Sequence, residues 1–127
     1  MKIELRETRR QSEDTYESIG YAIELDGVEI GSATVIASEG QTAYIERIDI
    51  DEAHRGQGCG TAALEQLSDS FGGIYIAPDS ADSQRLYARL GRQVSGLYYD
   101  EEYEDEVMMT SGDYADDLDQ GFGVYEI

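Results

Sequence analysis

The chain is short and strongly acidic. Its 127 residues include 28 acidic and nine basic side chains, for a formal net charge of -19 at pH 7. That length predicts one domain with a single ordinary core. The charge excludes an exposed basic surface for nucleic acid or for an anionic membrane. No apolar run approaches the ~20 residues of a membrane-spanning helix and the N-terminus lacks a signal-peptide core, so we expect a cytoplasmic protein.

Two further features of the composition concern the environment of the protein. Lys2 is the only lysine, and the other basic residues are arginines. Concentrated salt tolerates such an acidic, lysine-poor chain, because salt screens the repulsion between its carboxylates. We therefore predict a halophilic host. Cys59 is the only cysteine, which excludes an internal disulfide bond.

The first fifty residues predict an antiparallel meander. Residues 2–8 alternate as a half-buried strand does, and a polar stretch from Arg9 to Ser18 follows. Residues 19–38 form two apolar alternating runs that meet at Asp26-Gly27, a strong signal for a tight hairpin turn. A third run covers Thr42 to Ile50.

From Gly60 onward the apolar period changes to that of a helix. The residues that recur at helical spacing are Ala63, Leu64, Leu67 and Phe71. Gly72-Gly73 is the predicted stop of this helix. A short strand at residues 74–77 precedes a second helix, for which Asp79 and Ser80 are both candidate N-caps and Gly91 is the stop.

The C-terminal part of the chain predicts a hairpin and one last strand. The pattern is strand-like at residues 94–99 and 107–110, on either side of the acidic turn 100–106, and again at residues 122–127. We interpret the last of these segments as an edge strand. We expect one domain over residues 1–110, with an acidic C-terminal extension, residues 111–127, that packs on it or trails from it.

Residues 48–62, IDIDEAHRGQGCGTA, contain two motifs. Asp51 to His54 spell the DEAH box of a class of RNA helicases, but the chain is too short for a helicase motor and lacks a GxxxxGK[ST] phosphate loop. Gly56, Gly58 and Gly60 alternate between a strand and a helix. Glycine lets an anion approach the backbone, and the amides of a first helical turn attract that anion. The pattern therefore predicts a pyrophosphate cradle, with a flexible strand-to-helix turn as the alternative.

This strand, loop and helix resemble the GNAT superfamily of acyl-CoA-dependent N-acyltransferases, and the resemblance covers roughly residues 2–110. The family's loop pattern, Q/R-x-x-G-x-G/A, is matched by Arg55, Gly58 and Gly60. The resemblance implies an α+β fold: a central mixed, mostly antiparallel sheet with splayed fourth and fifth strands and two main helices. Only a short polar stretch follows the first strand, so the two helices that the family usually has there are expected to be shortened or absent.

A second family signature lies in the second helix. The sequence keeps Leu86, Tyr87, Leu90 and Gly91, but has Ser80 and Ser83 in place of the usual asparagine and alanine. By resemblance, acetyl-CoA is the acyl donor. The residues expected to bind it are Ile48 and Ile50 by their backbone, then Arg55, Gly56, Gln57, Gly58, Cys59, Gly60 and Thr61 in the loop, and Ser80 and Ser83 in the helix. Positive charge from Arg85, Arg89 and Arg92 is expected near its phosphates.

Two side chains are candidates for proton transfer. Tyr87 matches the family tyrosine whose hydroxyl reaches the sulfur, which makes it the candidate general acid; the alternative is that it only packs the helix. Glu46, expected on the same strand face as Tyr44 and Ile48, is the candidate base acting through water. His54 is interpreted as an exposed loop residue. No metal site is predicted.

The resemblance therefore implies an N-acetyltransferase that moves an acetyl group directly to a primary amine, either a small cationic amine or a protein amine. Two alternatives stay open: an acyl-CoA-binding relative without activity, and an acidic nucleic-acid mimic or protein-interaction module. The acidic C-terminal stretch is either a solvated surface or a field that concentrates a cationic acceptor. The oligomeric state is open, with a homodimer as one option.

Overall fold

A computed structural model of the chain describes residues 2–78, 80–94, 97–99, 109–111 and 124–127. The chain divides into two compact units, Met1–Ile74 and Tyr75–Ile127. Within the described ranges it forms nine strands and two α-helices, and the strand pairings inside each unit are antiparallel. This confirms the predicted α+β class with a mostly antiparallel sheet. The predicted splay concerns strands of different units and stays a prediction.

The first unit is an antiparallel meander followed by a helix. Its elements are β1 (Ile3–Ser12), β2 (Glu17–Leu25), β3 (Val28–Ala37), β4 (Tyr44–Ile50), a short 3-10 helix (Glu52–His54) and α1 (Cys59–Phe71). The strands pair in chain order, and α1 contacts β1 and β4. The β2–β3 turn has positive φ at Asp26 and Gly27, 51° and 87°, which is the twisted two-residue turn that their sequence predicts. Gly72, with φ of 70°, ends α1 as predicted.

The apolar residues of the meander and of α1 form the core of this unit. Its fully buried side chains include Ile19 and Ile23 from β2, Val35 from β3, and Leu64 and Leu67 from α1. Burying each such side chain is worth roughly 1.5–3 kcal/mol, so each contributes substantially to the stability of the unit.

The structure corrects the prediction for the polar stretch from Arg9 to Ser18. Strand β1 continues to Ser12, which pairs with Glu17, and the turn between them is closed by the Glu13 N–H donating to Tyr16 O at 2.8 Å. Residues after Arg9 are exposed, so they lack the apolar alternation that marks a strand in a sequence. Residues 13–16 leave no room for a helix between β1 and β2, which confirms that the two helices are absent there.

The second unit contains the remaining elements. They are β5 (Tyr75–Ile76), α2 (Ala81–Leu90), β6 (Arg92–Gln93), β7 (Leu97–Tyr99), β8 (Met109–Ser111) and β9 (Tyr125–Glu126). β7 pairs with β8, which confirms the predicted hairpin. The acidic turn 100–106 and most of the predicted extension, residues 112–123, lie outside the described residues.

The last strand was wrongly predicted to lie at an edge. β9 pairs with β5 on one side and with β6 on the other. The lack of a side chain at Gly91 makes room for β9, because a Cβ at this position would lie 1.9 Å from the Glu126 carbonyl oxygen. Val124 and Tyr125 are buried accordingly. A segment this short carries no sequence signal for pairing on both sides.

Two kinds of feature are absent from the described ranges. None of the helices there is long and apolar enough to cross a membrane. No group of three or more histidine, cysteine, aspartate or glutamate side chains is arranged there to hold a metal ion.

Candidate functional site

Strand β4 contains a β-bulge at Glu46. Thr34 of β3 pairs with Arg47, whereas the next residue, Val35, pairs with Ile45. The register therefore skips Glu46, so that Glu46 and Arg47 together oppose Thr34. Both side chains are exposed, while Ile45 is buried. The bulge thus presents one carboxylate and one guanidinium side by side at the middle of β4.

This bulge corrects the expected placement of Glu46 beside Tyr44 and Ile48. Tyr44 pairs with Ile36 and Ile48 pairs with Ala33, and these two partners lie on opposite faces of β3. Tyr44 and Ile48 therefore lie on opposite faces of β4. Two consecutive polar residues between Ile45 and Ile48 break the alternation in the sequence, and this signal was missed.

The DEAH residues form a short turn between β4 and the glycine loop. The Asp51 N–H donates to Ile30 O at 2.7 Å, and the His54 N–H donates to Asp51 O at 2.8 Å. Asp51, Glu52 and Ala53 are exposed. This turn redirects the chain at the end of β4 toward the loop.

The glycine loop is open on the side that a side chain would fill. Gly56 has φ of 76° and Gly58 has φ of 83°. A Cβ built on either residue meets no atom within 4 Å. Both glycines therefore have a conformation that other residues rarely adopt, next to empty space that a ligand can approach.

The helix that follows begins without a side-chain cap. Gly58 is its N-cap, no side chain bonds there, and the first turn of α1 contains no acidic residue. The first backbone bond runs from the Ala62 N–H to Gly58 O at 3.0 Å. Gly60 and Thr61 come before Ala62 in the first turn of the helix. Their N–H groups therefore have no helical carbonyl four residues earlier to which they could donate. Open glycines and uncapped amides at one point are the requirements of an anion cradle.

Two loop side chains bond back to the preceding backbone. Arg55 donates from Nε to Ile50 O at 2.8 Å, and Gln57 donates from Nε2 to Ala53 O at 3.5 Å. Cys59 has only 1% of its surface exposed, so its sulfur belongs to the core and only its backbone is available to a ligand. The backbone of the loop, rather than its side chains, is thus presented to a ligand.

In the second unit, Ser80 and Ser83 form the start of α2. The Ser83 N–H donates to Ser80 Oγ, and the Ser80 N–H donates to Ser83 Oγ, both at 3.1 Å. This reciprocal capping box confirms Ser80 as an N-cap, while Asp79 lies outside the described residues. Tyr87 is buried on the same helix, with 8% of its surface exposed.

The arginines of the second unit differ in their pairing. Arg85 forms an ion pair with Asp82, and Arg92 forms one with Glu126 at 3.1 Å. Arg89 makes no ion pair with a described carboxylate. Among Arg85, Arg89 and Arg92, only Arg89 therefore has a positive charge that no described carboxylate neutralises.

Comparison with known proteins places the chain in a family. Residues 2–91 match the sequence profile of the Acetyltransferase (GNAT) family, so the chain belongs to the GNAT acetyltransferases. The general chemistry of that family is acyl transfer from an acyl-CoA to an amine. Among curated proteins, no sequence matches this chain significantly.

Solved structures show the same fold. An IAA acetyltransferase from Bacillus cereus is 24% identical, with a TM-score of 0.54 over 71% of this chain and 67% of its own. A tandem GNAT protein from the clavulanic acid biosynthesis pathway is 12% identical, with a TM-score of 0.56 over 68% of this chain and 32% of its own. A Klebsiella pneumoniae protein named as an acyl-CoA N-acyltransferase is 21% identical, with a TM-score of 0.51 over 86% of this chain and 70% of its own.

Proposed function

We propose that this chain is an acetyl-CoA-dependent N-acetyltransferase that moves an acetyl group directly to a primary amine. The observation that carries the proposal is the open glycine loop, with positive φ at Gly56 and Gly58, directly before the uncapped start of α1. Family membership supports acyl transfer, and the loop supplies the anion cradle that a diphosphate-bearing donor requires.

The donor is expected to bind by backbone atoms. Amides from Gly56 to Thr61 hold its diphosphate, and Ile48 and Ile50 of β4 pair with its pantetheine arm as an added strand does. Amides directed at the thioester oxygen stabilise the charge that develops there during transfer.

The reaction requires two proton movements. The amine, with a pKa of ~10 in water, must lose a proton to become a nucleophile, and the departing thiolate must gain one. The new N–C bond forms as the C–S bond breaks. Glu46, exposed on the bulge, is the proposed base acting through water, and the Tyr87 hydroxyl is the proposed acid.

One structural observation favours a second candidate, an acyl-CoA-binding protein without transfer. The β1–β2 turn, residues 13–16, stands where the family usually has two helices that wall the acceptor site. An absent wall leaves either an open acceptor site or a fold that has lost its activity. The alternative of a nucleic-acid mimic depends on the acidic residues 100–106, which lie outside the described residues.

A thermal shift titration combined with an activity assay separates these candidates. Acetyl-CoA and CoA should raise the melting temperature, whereas ATP should not, because binding to the folded state alone stabilises it. CoA release with a panel of primary amines then identifies an enzyme. Stabilisation by CoA without release for any amine would favour the inactive relative, and no stabilisation by either CoA compound would contradict both.

A further inference from the structure

One face of the first unit's sheet carries basic residues that the proposed donor site does not use. Arg9 of β1 pairs with Gly20 of β2, Gly20 pairs with Thr34 of β3, and Thr34 pairs with Arg47 of β4. Residues directly opposite one another lie on the same face of a sheet. These four positions therefore form one row across the unit, which we call the arginine row.

The side chain of Arg9 extends along this row over β2. Its Cβ and Nε lie 3.5 and 3.6 Å from the position that a Cβ of Gly20 would occupy. Its Nη2 donates a long hydrogen bond of 3.5 Å to Ser18 Oγ, also on β2. Since neighbouring strands are about 4.8 Å apart, the guanidinium of Arg9 lies roughly 10 Å, or two strand spacings, from β4.

The charge of Arg9 is not compensated by a described neighbour. The chain has 28 acidic and nine basic residues, yet Arg9 makes no ion pair with a carboxylate in the described ranges. On the same strand, Arg6 and Arg10 each make two such pairs. Arg47 pairs with Asp49 through Nε. Arg9 therefore has guanidinium donors available for the carboxylate of a ligand.

The β4 end of the row carries the opposite charge. Because of the bulge, Glu46 opposes Thr34 together with Arg47, and its carboxylate is exposed. The positive charge of Arg47 is offset by Asp49. The row thus offers a guanidinium over β2 and a carboxylate at β4, with only Gly20 and Thr34 between them. A ligand with an ammonium at one end and a carboxylate at the other is complementary to this arrangement.

We infer that the acceptor is an amine that also carries a carboxylate, of the amino-acid class, with the carboxylate bound by Arg9 and the amine at Glu46. This inference rests on the proposed acetyl transfer and names the class of its second substrate. The span of roughly 10 Å between the two ends favours an amine several carbon atoms away from the carboxylate, as at the end of a long side chain.

Lysine and cadaverine form a matched pair that tests the inference, because they differ only by one carboxylate. CoA release with each amine is measured for the wild type and for Arg9→Gln, Arg9→Lys and Arg10→Gln. Arg10 is the matched control, since it neighbours Arg9 but pairs with Ile19, on the other face of β2. We expect kcat/KM for lysine to exceed that for cadaverine by about tenfold, as one charged hydrogen bond supplies.

Arg9→Gln should abolish this preference by lowering the rate with lysine and leaving that with cadaverine unchanged. Arg9→Lys should restore part of it, and Arg10→Gln should keep it. Equal use of both amines by the wild type, or an unchanged preference in Arg9→Gln, would overturn the inference while acetyl transfer stands. If no amine is acetylated, the proposed function fails, and saturation-transfer NMR decides whether the arginine row still binds this class of ligand: lysine binding that is lost in Arg9→Gln supports such a site, and absence of lysine binding overturns it.

Discussion

Arg55 donates from Nε to the main-chain oxygen of Ile50 at 2.8 Å, and so ties the glycine loop to the end of β4. Ile50 is one of the residues whose backbone is proposed to pair with the pantetheine arm. The same side chain thus fixes the relation between the strand and the loop that are proposed to hold the two parts of one donor.

Replacing Arg55 by Ala should therefore weaken donor binding more than it slows transfer. We expect the KM for acetyl-CoA to rise about tenfold, since one hydrogen bond that positions the loop is lost, while kcat changes little. Initial rates at saturating amine measure both constants. Arg55→Lys separates positioning from direct phosphate binding: a lysine restores charge but not the planar donor. Full recovery in Arg55→Lys, or an unchanged KM in Arg55→Ala, would contradict the positioning role.

Gly58→Ala should reduce donor affinity through the backbone conformation alone. Gly58 has φ of 83°, and no atom lies within 4 Å of a Cβ built there, so the substitution adds conformational strain of about 1–2 kcal/mol without a clash. Gly27→Ala is the matched control, with φ of 87° and equally open space in the β2–β3 turn. Both variants should lose similar stability on chemical denaturation, but only Gly58→Ala should bind acetyl-CoA more weakly by calorimetry. Equal affinities would place the anion cradle elsewhere.

Tyr87→Phe tests the proposed general acid. Removing only the hydroxyl should lower kcat by about 10²-fold or more, as loss of a positioned proton donor does, with little change in the KM for acetyl-CoA. Tyr75→Phe, which removes a hydroxyl from half-buried β5 of the same unit, serves as the control. If kcat in Tyr87→Phe matches that of the control, Tyr87 has no role in proton transfer.

Elements with a clear apolar period or a cap could be predicted from the sequence. Gly72 ends α1 and Ser80 begins α2 as expected, because left-handed glycines and serine caps act through local geometry. The extension of β1 beyond Arg9 could not be predicted, since its pairing with β2 involves polar residues on both faces. Register is a property of two strands, and so the consequence of the Glu46 bulge for the site emerged only from the pairing of β4 with β3.

Gly91→Ala should destabilise the second unit. A Cβ there would lie 1.9 Å from Glu126 O and 2.8 Å from the Glu126 carbonyl carbon, both backbone atoms that no side-chain rotation can move. The strand β9 must shift away from β5 and β6, and overpacking of this kind typically costs 1–3 kcal/mol or more. Urea denaturation followed by tyrosine fluorescence measures the loss relative to the wild type. A stability equal to that of the wild type would mean that β9 does not approach Gly91.

The predicted halophilic host implies that the protein gains stability from salt. With a net charge of -19, the folded chain concentrates carboxylates that repel one another, and screening of this repulsion strengthens as the Debye length falls from about 30 Å at 0.01 M to 3 Å at 1 M. Most of the described ion pairs join exposed side chains and lose little when screened, because such pairs contribute only about 0–1 kcal/mol each. The free energy of unfolding should therefore rise as potassium chloride is increased from millimolar to molar concentrations, as measured by urea denaturation at each salt concentration.

Sodium sulfate at matched ionic strength is an unsuitable substitute for potassium chloride in this experiment, since sulfate also strengthens apolar burial. A free energy of unfolding that falls across the potassium chloride series would contradict the predicted halophilic host.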